Sequence, residues 1–457
     1  MKARIFIFLM LMLPMLTSAQ AQNEIENRID VLLQDRLFVN GDVSLAIYDL
    51  DDGKMICSHR EKKSLRPASV QKVLTAVVAL EKLGVSYTFD TELYERSTDD
   101  CRNLYVKGRM DPLFDEHDMK RMAAGVPAGT VIDTLFADCS FIDSLYWGSG
   151  WIWDDNPYGF QPYLSPLMVC KGAVEVKVKP SARGRAPEYT VIPESSFYSV
   201  VNEAKSNDSS LGKLTILRDW LDDSNLIRIK GNCKVPYKES INMYKSADFF
   251  LAMLVEKLSQ FGIEVRHVAF SRVPDDADVI YTCKRNLVDV VDEALMESDN
   301  LCAEALLYHL GAIDNASPLS MDYGCEVLRE FIKDELGIDS GFNIADGSGL
   351  SVYDYLTAEI ILEVLKHAYE DKECFDVLYA HLPQSGISGT MKNRTKGNAA
   401  YKKVRAKTGT VKGVCSLAGY ALGKNGHMYA FVMINSGLEK ASKVREWQDK
   451  VLDAICK

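Results

Sequence analysis

Hydrophobic and polar positions change period along this 457-residue chain, and each change predicts an element. Val43 to Leu50 alternates and runs into Asp51-Asp52-Gly53, a turn signal, before a second run from Lys54 to Ser58. Val70 to Leu83 is apolar and Ala-rich, with Pro67 ahead of it and Gly84 behind. That pattern predicts a helix with Pro in its first turn and Gly just past its end. Between roughly residues 90 and 240 the runs are short and alternating, as at Leu104 to Val106 and Ile227 to Ile229, and are broken by Gly, Pro and Asp. Helical patterns return in Ala247 to Leu258 and Leu287 to Leu295, and again around Leu301, Ala303, Ala305 and Leu306. Val411 to Leu422 and Met428 to Asn435 predict strands joined through the hairpin turn Asn425-Gly426. Val444, Trp447, Val451, Leu452 and Ile455 lie at helical spacing in a final helix suited to packing on a sheet. The expectation is an α+β chain whose two ends build one sheet.

The N-terminus changes the picture. Lys2 and Arg4 precede an apolar run from Ile5 to Leu16, and Ala19-Gln20-Ala21 offers a small-residue cleavage site. Residues 1–21 therefore read as a secretory signal peptide. The apolar run is too short to span a bilayer, which takes about 20 residues, so no transmembrane anchor is expected. A periplasmic protein follows. Loss of Lys2 and Arg4 takes the formal net charge from −11 to −13, a poor balance for binding nucleic acid. The 11 cysteines are an odd number without C-x-x-C spacing, so at least one stays unpaired. Cys302 and Cys415 read as small buried hydrophobes. The seven histidines show no metal-ligand spacing, and neither a metal nor a cofactor is expected.

Candidate chemistry lies in three short motifs: Ser69-Val70-Gln71-Lys72, Ser298-Asp299-Asn300 and Lys407-Thr408-Gly409-Thr410. Together they resemble the S-x-x-K, S-x-N and K-T-G set of serine acyl-enzymes that act on penicillins and D-alanyl-D-alanine peptides. S-x-x-K recurs at Ser210 to Lys213 and S-x-N at Ser240 to Asn242, so neither is specific alone; K-T-G occurs once. Ser210 sits in a polar stretch that reads as a loop, whereas Ser69 opens a helix. Residues three apart share a helix face, so Lys72 reaches the Ser69 hydroxyl. Burial and a second cation, Lys407, lower a lysine's pKa and suit Lys72 to act as general base. Ser298 is placed to relay a proton to the leaving amine and Asn300 to bind the substrate amide. Ser298 also suits a helix N-cap. Lys407 and Thr408 would face a substrate carboxylate. Gly409 lets a peptide backbone approach the strand, and the N–H groups of Ser69 and Thr410 would form an oxyanion hole.

With these motifs, four further runs carry a family resemblance. Leu104-Tyr105-Val106-Lys107-Gly108 with Asp111-Pro112, Gly150-Trp151-Ile152-Trp153-Asp154-Asp155, Asp346-Gly347-Ser348-Gly349-Leu350-Ser351 and Ser416-Leu417-Ala418-Gly419-Tyr420 follow in family order. The chain resembles a class C low-molecular-mass penicillin-binding protein, a D-alanyl-D-alanine carboxypeptidase that often doubles as an endopeptidase. The family's usual Arg and Asn after D-G-S-G-L-S are replaced here by Val352 and Asp354. The resemblance implies a transpeptidase-like, serine β-lactamase-like domain interrupted between its first two motifs by β-rich insertions, which accounts for the 229 residues between Ser69 and Ser298. The expected division is residues 22–90 and 241–457 for the catalytic domain and 91–240 for the insertion. Peptidoglycan stem peptides are the implied substrates and β-lactams the covalent inhibitors. Asp155 aligns with an acidic position thought to receive the ammonium of the peptide's diamino acid. Two alternatives remain. A serine β-lactamase is disfavoured because no E-x-x-x-N follows Ser298, and a penicillin-binding sensor without turnover is disfavoured by the complete motif set.

Overall fold

The computed structural model describes residues 24–98, 101–314, 316–437 and 440–457; the expected signal peptide lies outside them. The chain divides into two compact units. The first takes residues up to Gly84, Val291–Asp299 and Cys325–Lys457, and the second takes Val85–Val290 and Asn300–Gly324.

In chain order, the first unit opens with helix α1 (residues 24–33), strands β1 (Asp42–Asp49) and β2 (Lys54–His59), and helix α2 (Gln71–Leu83). Gly53, at φ +65°, makes the turn that the Asp51-Asp52-Gly53 signal predicts between β1 and β2. The second unit follows with β3 (Thr88–Ser97), β4 (Arg102–Gly108), helix α3 (Glu116–Ala124) and β5 (Val131–Asp138). Short strands come next: β6 (Ala173–Lys179), β7 (Glu188–Ile192), β8 (Ser199–Asn202), β9 (Lys205–Ser206), β10 (Thr215–Arg218), β11 (Leu226–Lys230), β12 (Asn232–Cys233) and β13 (Tyr237–Asn242). Helix α4 (Ser246–Gln260) and strands β14 (Glu264–Phe270) and β15 (Asp278–Asn286) complete that stretch. Helices α5 (Leu287–Met296), α6 (Asn300–Gly311) and α7 (Met321–Asp334) precede α8 (Ala358–Glu370) and α9 (Lys372–His381). The first unit closes with β16 (Val404–Val411), β17 (Val414–Leu422), β18 (Met428–Ser436) and α10 (Ala441–Cys456).

The first unit is built on a five-stranded sheet in the order β16-β17-β18-β1-β2. Both chain ends supply it, as the sequence pattern predicts. β1 lies antiparallel to β18 from Asp42 opposite Ser436 to Asp49 opposite Tyr429. On one face α1 and α10 bury Ile25, Ile29, Trp447, Val451, Leu452 and Ile455 against Leu45, Ile47, Leu417 and Phe431. Trp447 also donates its indole N–H to the Leu32 carbonyl at 2.8 Å. Helix α8 packs against β1 and β18, and α2 packs against α8. One expectation needs correction. Val411 to Leu422 is not one strand but the end of β16, a turn at Lys412-Gly413, and β17. Gly413, at φ +81°, permits that turn, and it places Lys407-Thr408-Gly409 inside the edge strand rather than at its start.

The second unit is a mixed five-stranded sheet, order β14-β5-β4-β3-β15, with smaller sheets β13-β6-β7, β10-β11-β8 and β12-β9. Helix α4 belongs to its core: Phe249, Phe250, Met253 and Leu254 pack with Leu93, Leu104, Met119 and Leu135. The helical pattern after Ala247 therefore marks a core helix of this unit and not a return to the first. Helix α6 is buried from Leu301 to Gly311, which explains a run that is apolar apart from Glu304 and His309.

None of the 11 cysteines is joined in a disulfide; eight are buried and three half-buried. Native protein should therefore lose no more than the three half-buried thiols, Cys101, Cys139 and Cys170, to a thiol reagent, and all 11 once unfolded. A titre that fell short of 11 in non-reducing denaturant would reveal disulfides and contradict this arrangement.

Candidate active site

Ser69 does not sit on the α-helix itself. Ala68–Val70 forms a 3-10 turn that runs into α2. Ala68 takes the left-handed conformation at φ +49°, a strained one for a residue with a Cβ. The turn leaves Ser69 half-buried and Lys72 buried beneath it. Lys72 Nζ donates to Ser69 Oγ at 3.0 Å and to the Ser348 carbonyl at 2.9 Å. The i, i+3 spacing thus delivers the contact expected from it, through a 3-10 turn joined to an α-helix.

Ser348 is the residue that sequence reasoning left without a role. It belongs to the Asp346-Gly347-Ser348-Gly349-Leu350-Ser351 loop, 276 positions away from Lys72 along the chain. The Asp346 carboxylate organises this loop by accepting the N–H groups of Ser348 at 3.0 Å, Gly349 at 2.6 Å and Ser351 at 2.7 Å. The loop is tied to α2 twice more. Thr75 Oγ1 donates to the Gly347 carbonyl at 2.7 Å, and Gln71 Nε2 donates to the Asp346 carbonyl. Gly349, at φ +78°, lies so close to Ala68 that a Cβ there would meet the Ala68 carbonyl at 2.1 Å.

The edge strand completes the arrangement. A Cβ on Gly409 would stand 3.0 Å from the Pro67 carbonyl oxygen and from Ser69 N, and 3.1 Å from Val70 N. Only glycine lets β16 lie this near the serine turn. Thr410 is paired with Cys415 of β17 on one side, and β16 is the terminal strand of the sheet. Its other edge meets only an isolated bridge between Gln384 and Arg405 among the described residues. An extended peptide could add to this edge.

Lys407 is buried on β16. Its Nζ donates to Ser298 Oγ at 2.7 Å and to the Thr408 carbonyl at 2.8 Å. Burial, and next the charge of Lys72, push Lys407 well below the ordinary lysine range. Ser298 adopts φ +63° just before α6, so its hydroxyl is turned to Lys407 by a strained backbone. Thr408 Oγ1 donates to Thr390 Oγ1 at 2.8 Å, and Arg445 reaches Thr410 Oγ1 at 3.3 Å. No local signal marks Thr390 or Arg445 in the sequence.

The first unit thus gathers Ser69, Lys72, Ser298, Lys407, Thr408, Gly409 and Thr410. Asn300 and Asp155 belong to the second. Asn300 opens α6 and donates to the Phe160 carbonyl at 2.8 Å. Asp155 is half-buried at the end of the 3-10 turn Trp153–Asp155. The duplicate motifs are structural. Ser210 Oγ is exposed and donates to Asp208 at 2.6 Å, while Asn242 is a buried strand residue bonded to Asn156 and the Gln161 carbonyl. Two groups of potential metal ligands exist among the described residues: Asp49 with Asp51 and His427, and Asp111 with Asp118 and Cys283. Each has an internal occupant. Asp49 accepts the N–H groups of Asp51 and Asp52 and bonds His427, and Arg285 lies against both Asp111 and Asp118.

A serine turn wedged against the edge strand of a sheet made from both chain ends, with a lysine on either side, defines the penicillin-recognising, serine transpeptidase-like class of proteins. Within that class, the pattern of the D-Ala-D-Ala carboxypeptidase 3 (S13) family matches residues 25–455, and the chain belongs to that family. It is 29% identical to a D-alanyl-D-alanine carboxypeptidase of Actinomadura sp. (strain R39), over 91% of this chain and 81% of that one. It is 24% identical to the D-alanyl-D-alanine carboxypeptidase DacB of Haemophilus influenzae, over 89% of this chain and 87% of that one. The crystal structure of penicillin binding protein 4 from Haemophilus influenzae shares the fold, with a TM-score of 0.81 at 22% identity over 93% of this chain and 97% of that one. A second structure of that protein holds a β-lactam and superimposes with a TM-score of 0.75 at 20% identity.

Replacing Gly409 by Ala tests the wedge. The added methyl meets three backbone atoms that have no side-chain freedom to yield, so it should part β16 from the serine turn. Acylation by a fluorescent penicillin should slow by about two orders of magnitude or more, the cost of disturbing one oxyanion donor. Circular dichroism should stay that of the parent protein. An unchanged acylation rate would show that the close approach is not needed.

Proposed function

We propose that this chain is a periplasmic serine DD-peptidase that removes the terminal D-alanine of peptidoglycan stem peptides, cleaves D-alanyl cross-links as a second activity, and is acylated by β-lactams. The observation that carries the reading is the 3.0 Å bond from buried Lys72 to Ser69 Oγ beside the Gly409 wedge. The carboxypeptidase relatives and the β-lactam complex of the Haemophilus influenzae protein support it. No helix among the described residues is long and apolar enough to cross a membrane.

In this mechanism Lys72 takes the proton of Ser69 as Oγ attacks the carbonyl between the two D-alanines. The N–H groups of Ser69 and Thr410 hold the oxyanion, each worth about 3–4 kcal/mol in the transition state. Ser298, hydrogen-bonded to Lys407, relays that proton from Lys72 to the departing amine of D-alanine, which leaves Lys72 neutral again. Water then attacks the ester, Lys72 takes its proton, and that proton returns to Ser69 Oγ as the ester bond breaks. Lys407, Thr408 and Gly409 receive the substrate's carboxylate and backbone. Asn300 binds the substrate amide, and Asp155 receives the ammonium of a diamino acid.

A fluorescent penicillin should label the parent protein and Ser210→Ala but not Ser69→Ala. The purified protein should release D-alanine from a pentapeptide muropeptide and open a cross-linked dimer, both followed by mass spectrometry. Label retained in Ser69→Ala would overturn the mechanism, and label without peptide turnover would leave a penicillin sensor.

Asp155→Ala should slow hydrolysis of a diaminopimelate-containing peptide while penicillin acylation stays the same, since a desolvated ion pair outweighs the roughly 1 kcal/mol of an exposed one. Equal loss on both substrates would instead mean a folding role.

A further inference from the structure

Asp354 lies in the loop that follows Asp346-Gly347-Ser348-Gly349-Leu350-Ser351, and its surroundings give it a function. It is fully buried, as is Asp346. Asp354 Oδ1 accepts the Ala345 N–H at 2.7 Å and, weakly, that of Asp346 at 3.4 Å. Its other oxygen, Oδ2, is buried without a hydrogen-bond partner. The Asp346 N–H faces Asp354 Oδ1, so the two buried acidic residues are neighbours. Ionised, the two would set a pair of anions side by side where water does not reach, the three N–H groups on Asp346 notwithstanding. Such a pair holds a single proton. A proton on Asp354 Oδ2 turns the orphan oxygen into a donor and gives Asp346 a partner.

Asp346 is the hub of the loop whose Ser348 carbonyl receives Lys72. We propose that Asp354 is a positioning residue for acylation: it shares one proton with Asp346 and thereby fixes the loop that holds Lys72 against Ser69. The inference rests on the serine peptidase reading. Burial, and next the charge of Asp346, raise the Asp354 carboxyl well above its usual range, while the Ala345 N–H and Gln71 oppose the rise. The charged groups facing the pair are few. Asp346 lies on the same loop, Lys72 of α2 is bound one step away at Ser348, and Arg329 of α7 reaches the neighbouring Ile344 carbonyl at 3.0 Å.

The sign of the pH effect follows. An unfolded Asp titrates near pH 3.9, whereas the native Asp354 keeps its proton at higher pH. Between those values the native state holds one proton more than the unfolded state, so stability falls as pH rises, by up to about tenfold in the folding constant per pH unit. Asp354→Asn removes the proton but keeps a donor for Asp346 and an acceptor for Ala345.

The experiment compares the parent protein with Asp354→Asn and Asp354→Ala in denaturant unfolding across the acid to neutral range and in penicillin acylation. Relative to Asp354→Asn, the parent should lose stability with a one-proton slope, and its infrared spectrum should carry a protonated-carboxyl C=O band that the variant lacks. Asp354→Asn should acylate at the parent's rate, and Asp354→Ala should be slower by about tenfold, the effect of stripping one buried hydrogen bond. Parallel pH–stability curves with identical infrared spectra would overturn the shared proton. Equal acylation by Asp354→Ala would overturn the positioning role. Should Asp354→Ala fail to fold, the parent and Asp354→Asn still decide through the pH slope. That arm needs no catalysis, so its result stands apart from any failure of Ser69 to act as nucleophile.

Discussion

Two lysine amino groups buried in one unit are the constraint around which this structure is arranged. Lys72 is 1% exposed and Lys407 0%. Removing a charge from water costs several kcal/mol unless hydrogen bonds and partners compensate. Each lysine is therefore given oxygen acceptors at short range: Ser69 Oγ and the Ser348 carbonyl for Lys72, Ser298 Oγ and the Thr408 carbonyl for Lys407. The acceptors come from four separate stretches of chain. Once they must converge, much of the local backbone is determined.

That convergence explains where strain is stored. Ala68 and Ser298 are both non-glycine residues at positive φ, and both adjoin or contribute a hydroxyl that faces a lysine. Gly349 and Gly409 sit where a Cβ would strike backbone next to Ser69. Each such left-handed residue costs of order 1–3 kcal/mol and persists only where surrounding packing over-determines it. Here the packing is the five-stranded sheet with Trp447, Val451 and Leu452 on one face, and the Asp346 loop with its three N–H bonds. A rigid sheet and a rigid loop hold a strained turn between them.

Much of this was legible in the sequence, and the misses have physical causes. Alternation at Val43 to Leu50 before Asp51-Asp52-Gly53, and the run Met428 to Asn435 after the Asn425-Gly426 turn, marked the paired strands β1 and β18. The i, i+3 spacing gave the Ser69–Lys72 contact. The break between β16 and β17 went unseen because β17 is buried on both faces, so Val414 to Ala421 shows no alternation and hides the turn before it. Helix α4 showed its period, but a period does not say which core a helix joins; that depends on Phe249 and Phe250 finding Leu93 and Leu104 far away in sequence. Ser348 was visible as part of a motif, yet its use is a backbone carbonyl, and a carbonyl leaves no trace in residue identity. Thr390 and Arg445 likewise become neighbours of Thr408 and Thr410 only through tertiary structure.

Lys407 ties the electrostatics of the site to the substrate that the proposed reading assigns to it. Burial and the nearby Lys72 together depress its protonation, so the site without substrate resists carrying both positive charges. On the proposed reading, an arriving terminal carboxylate supplies the missing counter-charge and favours the ammonium form of Lys407. The carboxylate would then be recognised by a charge that its own arrival helps to create. The Ser298 hydroxyl, 2.7 Å from Lys407, would feel that change first. A peptide amide without the terminal carboxylate, though it fits the β16 edge through its backbone, would leave Lys407 depressed and Ser298 without a cationic donor behind it. On that reading, preference for a peptide that ends in a carboxylate would come from electrostatics at one buried lysine.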